Sequence, residues 1–266
     1  MRTAVSFRRA RFLLSATVWI SAGLFGLYIL GFYVISLFEG NLVRWNDILP
    51  GLYQKGSLAS TAGIGLHFVT GAVILLLGNI QLIESLRDRY PVLHRWVGRI
   101  YILSSVMAAS GGLVFIIFKG TVGGTVMEMG FTLYGLLMLL SGVQTYRYGV
   151  ARRIDQHRQW GLRLYALAVG SWLYRMDYGF WFQLTGGVGH SSNFEGVFDQ
   201  VMSFFFYVPN LLVAELLIRY RDYRASIRFR RLATMLIWIM TGFLVLGTYY
   251  FTRLYWGPAI IKLLSF

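Results

Sequence analysis

The chain has 266 residues, of which 56% are apolar and only 14% charged, with a mean hydropathy of +0.58 and a formal net charge of +14. A soluble globular domain carries roughly a quarter charged residues, so this composition excludes one and indicates a membrane protein. The absence of cysteine excludes a disulfide frame, a thiolate metal site and a covalent c-type haem motif.

Seven segments are apolar over a length that crosses a hydrocarbon core of about 30 Å: 12–38, 60–83, 97–118, 125–146, 160–185, 200–218 and 233–252. A lipid-exposed backbone must satisfy its own hydrogen bonds, so the predicted fold is all-α, a polytopic integral membrane helical bundle forming one transmembrane domain over 1–266. The first segment has a basic start, but its apolar stretch is too long for a signal-peptide core and is expected to remain as a span.

In chain order, a loop at 40–58 with Trp45, Asp47, Pro50 and Tyr53 follows the first span. The second span carries His67 about 10 Å from its start, at 1.5 Å per residue, and ends with Asn79 and Gln81. A turn with Arg87, Arg89, Arg95 and Arg99 surrounds His94 at the head of the third span. The fourth has Glu128 in its first turns and Gln144 near its end, and Arg147, Arg152, Arg153, Arg158 and Arg163 then surround His157. The fifth holds Arg175 and Asp177, and the Gly-rich loop 186–199 after it carries His190, Glu195 and Asp199. The sixth contains Pro209, Asn210 and Glu215; Arg219, Arg221, Arg224, Arg228, Arg230 and Arg231 lead into the seventh.

Together with Arg2, Arg8, Arg9 and Arg11, these turns place 19 of the 25 basic residues on one side, opposite Arg44, Lys55, Lys119, Arg253 and Lys262. The positive-inside rule assigns the N-terminus to the cytoplasm and the C-terminus to the outside. Attraction to anionic lipid headgroups accounts for the charge without nucleic acid. A membrane-protein partner or a homo-oligomer is compatible with this pattern.

One motif is written twice. Gln81 precedes His94-Arg95 by thirteen residues, as Gln144 precedes His157-Arg158, and Gly98 and Gly161 follow at the same spacing, the copies lying 63 residues apart. This predicts a duplicated two-helix hairpin at the core, 60–118 and 125–185, with 12–38, 200–218 and 233–252 as peripheral helices. At helical spacing His94 heads the face Gly98, Tyr101, Ser105, Ala108, Gly112, and His157 heads Gly161, Leu164, Ala168, Ser171, Arg175. Two readings of these mostly small faces stand side by side. In one, His94 and His157 ligate the iron of one b-type haem for electron transfer, with Arg95, Arg99, Arg158 and Arg163 on its propionates. In the other, the small residues pack helices and the His-Arg pairs anchor the interface.

Charges within spans are candidates for function. His67, Glu128, Arg175 and Asp177 form an outer polar cluster, read either as a pocket for a polar or anionic ligand or a proton relay, with Arg175 paired to Glu128 or Asp177, or as a structural ion pair. Gln81, Gln144, Asn210 and Glu215, with Asn79, form an inner polar set in which Glu215 faces the basic layer. No catalytic triad, phosphate loop or metal-ligand spacing is present.

His67 with Gly71, Gly78-x2-Gln81, the string Leu93-His94-Arg95-x2-Gly98-Arg99-Ile100-Tyr101, His157-Arg158-x-Trp160-x2-Arg163-x-Tyr165, Arg175 and Pro209-Asn210 through Glu215 together resemble the bacterial membrane proteins of domain of unknown function 2306. The resemblance covers about 60–220 and implies a multi-pass protein of the bacterial cytoplasmic (inner) membrane without an assigned activity; Gly161 stands where that family often has methionine. A more distant similarity to transmembrane cytochromes b implies haem between alternate helices, and the lack of a histidine in the fourth span departs from that pattern. The expected function is therefore that of an integral inner-membrane protein whose specific activity the sequence does not assign, with one b-type haem between two helices as one reading, and a non-redox binder of a small solute or lipid, or an accessory subunit of a larger complex, as the alternative.

Overall fold

The computed structural model describes residues 2–220 and 226–265, with side chains from residue 6. Arg221 and Arg224, and the side chain of Arg2, lie outside the described residues. Seven long helices run through them: α1 (Ser6–Phe38), α2 (Leu58–Leu82), α3 (Pro91–Lys119), α4 (Gly124–Val150), α5 (Ile154–Thr185), α6 (Val197–Arg219) and α7 (Ile227–Leu264). Large apolar side chains such as Phe12, Ile117, Leu217 and Leu246 point outward and are more than half exposed, as a lipid-facing surface requires.

Six of the seven are long and apolar enough to cross a membrane, and α5 falls short on apolarity alone. Its 32 residues extend about 48 Å at 1.5 Å per residue, ample for a span. It also runs the full length of its neighbours: the Thr145 carbonyl of α4 meets His157 near one end, and Asp199 of α6 meets Tyr178 near the other. Leu164, Leu167, Trp172 and Met176 are at most 1% exposed, so α5 is a central helix walled by protein rather than lipid. A helix in that position tolerates Arg175 and Asp177 where a lipid-facing one would not.

α2 packs against α3, and α4 against α5, and the turns that join the two pairs differ. α2 tightens into a 3-10 turn at Gly78–Leu82, followed by a separate short helix Glu84–Arg89, before Pro91 opens α3. α4 instead continues to Val150 and turns within three residues, using Arg152 in the left-handed region at φ 55°. The two histidines consequently occupy unlike surroundings.

α1 carries more of the interior than a peripheral helix would. Phe25, Tyr28, Ile29, Phe32 and Tyr33 are buried in the larger core cluster with residues of α2, α5 and α7. Ser21 ties three helices together, accepting from Trp172 Nε1 at 3.1 Å and from the Thr248 hydroxyl at 2.7 Å. α1 and α7 each loosen into a π-helical segment, Leu30–Val34 and Thr252–Trp256. α6 breaks at Phe206 and Tyr207, because Pro209 cannot donate the backbone bond that would continue it. Asn210 Nδ2 donates to the Phe206 carbonyl at 2.8 Å and satisfies an acceptor at the break.

Candidate functional site

The arginine-rich end of the bundle is termed the basic end and the opposite end the far end. In the half toward the far end, α1, α2, α3, α4, α5 and α7 surround a cavity of about 410 Å³. Both π-helical segments contribute to its wall, through Tyr33 on one side and Tyr255 and Trp256 on the other. Such wider turns displace side chains from α-helical register and occur frequently at functional sites. Aromatic and aliphatic groups dominate the lining, with His67, Ser171, Arg175, tyrosines and Asp47 as the polar minority.

His67 reaches this wall because α2 and α3 approach closely at Gly63 and Gly111, where a Cβ on Gly111 would lie 3.0 Å from the His67 backbone nitrogen. Its Nδ1 stands 2.9 Å from the Ala108 carbonyl. A carbonyl only accepts, so Nδ1 carries the proton, and Nε2 is the ring nitrogen left without a protein partner, an acceptor when the ring is neutral. The small face of α3 thus packs against α2: Gly98 lies against Gln81, Gly112 against the His67 ring, and Tyr101 against Gly78.

Arg175 lines the same cavity and makes no ion pair among the described residues. Its guanidinium carbon lies 5.7 Å from the centre of the Tyr174 ring, and His67, Tyr28 and Tyr33 line the same cavity. The expected pairing with Glu128 or Asp177 is absent. Glu128 turns toward the loop after α3, where its Oε1 accepts from the Thr121 backbone N–H at 3.2 Å. Asp177 is two residues along α5 from Arg175, so the helical twist carries it to another face, and it does not line the cavity.

Two loops cover the far end. Trp45, 2% exposed, donates from Nε1 to the Tyr33 carbonyl at 3.0 Å, and Asn46 brackets the Tyr53 backbone at 2.9 and 2.8 Å. In the loop 186–196 and the start of α6, Asp199 is fully buried and accepts from Tyr178, His190 and the backbone N–H groups of Ser191 and Gly196. Tyr178 also lines the cavity, so this cap and the cavity share a wall. His190 and Asp199 stood out in the sequence only as polar residues of a loop; their mutual contact depends on backbone geometry that no spacing rule encodes.

The pair singled out by the repeat does not form a haem site. His157 Nδ1 donates to the Thr145 carbonyl at 2.8 Å, while His94 Nδ1 is buried without a protein partner. Neither histidine lines the large cavity. The second cavity, between α1, α2, α3 and α5 in the basic half, measures about 10 Å³, against the several hundred Å³ typical of cofactor sites. The four arginines do not converge either: Arg95 and Arg158 are exposed, Arg99 stacks on Trp96 at 5.0 Å, and Arg163 makes a two-point ion pair with Glu215. The residues present do not fit a haem at this position.

The inner polar set is dispersed. Gln144 contacts Arg147 at 3.5 Å on the exposed rim, Glu215 holds Arg163, and Asn210 serves the break in α6. Gln81 packs on Gly98, and Asn79 Oδ1 accepts from the Tyr165 hydroxyl at 2.5 Å.

A family model described as a predicted membrane protein, domain of unknown function 2306, matches residues 64–218. No curated protein and no solved structure matches the chain.

Proposed function

The chain belongs to the predicted membrane protein family of domain of unknown function 2306, and from that premise we propose that it binds a small anion with an apolar body, a single-chain amphiphile, in the cavity at the far end of the bundle. The observation that carries this reading is Arg175, a span arginine on the cavity wall with no carboxylate partner among the described residues. A charge at depth in a membrane costs about 3 kcal/mol on insertion scales, and a ligand carboxylate or phosphate offsets that cost. The aromatic walls suit an apolar body, and the His67 Nε2 acceptor and the tyrosine hydroxyls supply the few polar contacts that fix a head group.

In this reading the basic end faces the cytoplasm of a bacterial cell, its arginines meet anionic headgroups of the inner membrane, and the cavity is reached from the outer side beneath the two loops. The protein is then a binding protein or carrier for solutes that partition into the outer leaflet. Native mass spectrometry of the purified protein tests it. Wild type retains an anion of stoichiometric occupancy that Arg175→Gln loses; equal retention by both, or retention of none when decanoate is supplied, rejects the reading.

A further inference from the structure

The far cavity is elongated. Along α5 its lining runs from Ala168 through Ser171 and Arg175 to Phe182, a length of about 21 Å at 1.5 Å per residue. The lining residues that are exposed at the surface, Asp47, Ile48, Phe182 and Tyr255, stand at its outer end and form a mouth there. The inner end is closed. Ile74, Leu75 and Ala168 are at most 5% exposed and also line the small void behind them, which at about 10 Å³ adds almost no room.

Ile74 lies seven residues from His67 on α2, and Ala168 lies seven residues from Arg175 on α5. Counted on either helix, the polar level of the cavity is therefore two turns, about 10 Å, from the end wall. Between His67 and Ile74 the lining residue is Gly71, where an added Cβ would meet no atom within 4 Å, so this glycine faces open cavity. The inner arm is also apolar. Gly71, Ile74, Leu75, Met138 and Ala168 line it, and the hydroxyls beside them, of Tyr134 and Ser171, donate to the Leu167 and Ala168 carbonyls at 3.1 and 3.0 Å. At the mouth, by contrast, Asp47 presents a carboxylate that disfavours a second anion.

An extended chain advances at most about 1.2 Å per bond, from 3.6 Å over the three backbone bonds of a residue, so an arm of about 10 Å holds about eight or nine bonds beyond a head group. Resting on the reading of Arg175 as the anion's partner, we propose that the ligand is a carboxylate with one unbranched chain of about eight to ten carbons, its carboxylate at Arg175 and its chain in the inner arm. Ile74, Leu75 and Ala168 set the upper limit of chain length, and Gly71 keeps the arm open.

Titration of radiolabelled hexanoate, octanoate, decanoate and dodecanoate onto the full chain in nanodiscs tests the limit. Partition of each chain into the bilayer is the same for every variant, so it cancels in the comparison. Wild-type affinity should rise about three- to four-fold per methylene up to decanoate and stop rising there. In Gly71→Leu, whose new side chain starts in open space and points into the arm, decanoate should bind at least about ten-fold more weakly than to wild type while hexanoate changes little. In Ile74→Ala, which opens the wall, the rise should continue to dodecanoate. Gly71→Ala gives a smaller change of the same sign as Gly71→Leu if the leucine variant fails to fold. One chain-length profile shared by wild type and these variants overturns the proposal, as does the absence of saturable binding at any length. Arg175-dependent binding with an unchanged profile sinks the chain assignment alone, whereas equal affinity for wild type and Arg175→Gln at every length sinks the anion reading on which it rests.

Discussion

Asp199 accepts four hydrogen bonds with no exposure, and they join α5, the loop 186–196 and α6 at one point. Replacing it by alanine strands two side-chain and two backbone donors in a buried place. We expect Asp199→Ala to cost about 3–5 kcal/mol, seen as a large fall in the thermal midpoint of the purified protein. A shift within experimental error would mean that the loop is held by its aromatic contacts alone, such as the parallel stack of Trp181 on Phe198 at 4.6 Å. The Arg163–Glu215 pair invites a smaller expectation. Its side chains are 20% and 33% exposed, so solvent screening discounts the attraction. Glu215→Gln should cost about 1 kcal/mol in denaturant unfolding and leave anion binding intact.

Between elements, close backbone approach decides more than apolar area does, because lipid tails are as apolar as the helix faces they would replace. α2 and α3 meet where a Cβ on Gly111 would lie 3.0 Å from the His67 backbone nitrogen, and that approach brings the His67 ring to the Ala108 carbonyl. Gly111→Ala therefore forces the helices apart and is expected to cost about 1–3 kcal/mol, the range for overpacking. Gly23 on α1 has no atom within 4 Å of the same position, so Gly23→Ala should be neutral or stabilise by up to about 1 kcal/mol through helix propensity. Parallel thermal melts of the two variants check the contrast; equal shifts would contradict it. The small-residue face of α3 was legible in the sequence at helical spacing, and it packs helices. The partner of that face was not legible, because spacing along one helix carries no information about which neighbour comes close.

Across the whole molecule, composition and the basic turns were enough to read an all-helical membrane bundle, since both are sums over many residues. α5 shows the limit of that reading: its polarity is that of a helix surrounded by protein, and only tertiary packing reveals the surroundings. The repeated His-Arg motif pointed to haem, yet a 3-10 turn and a short extra helix after α2 give the two copies different environments. His67 and Arg175 were legible as charged or titratable groups within spans, and the structure brings both to one cavity wall. Glu128 and Asp177 carried the same signal, but loop capping and helical twist direct them elsewhere. The π-helical segments that widen α1 and α7 beside the cavity have no sequence signature.

The central claim is that Arg175 holds an anion in the far cavity. Titration of radiolabelled decanoate onto the nanodisc-embedded protein, with empty nanodiscs subtracted, tests it most directly. The account predicts saturable one-site binding to wild type, weakened at least about ten-fold, or about 1.4 kcal/mol, in Arg175→Gln and less in Arg175→Lys, since lysine keeps the charge but loses the guanidinium fork. Equal affinity for wild type and Arg175→Gln would contradict the account and move the anion to the exposed arginines of the basic end.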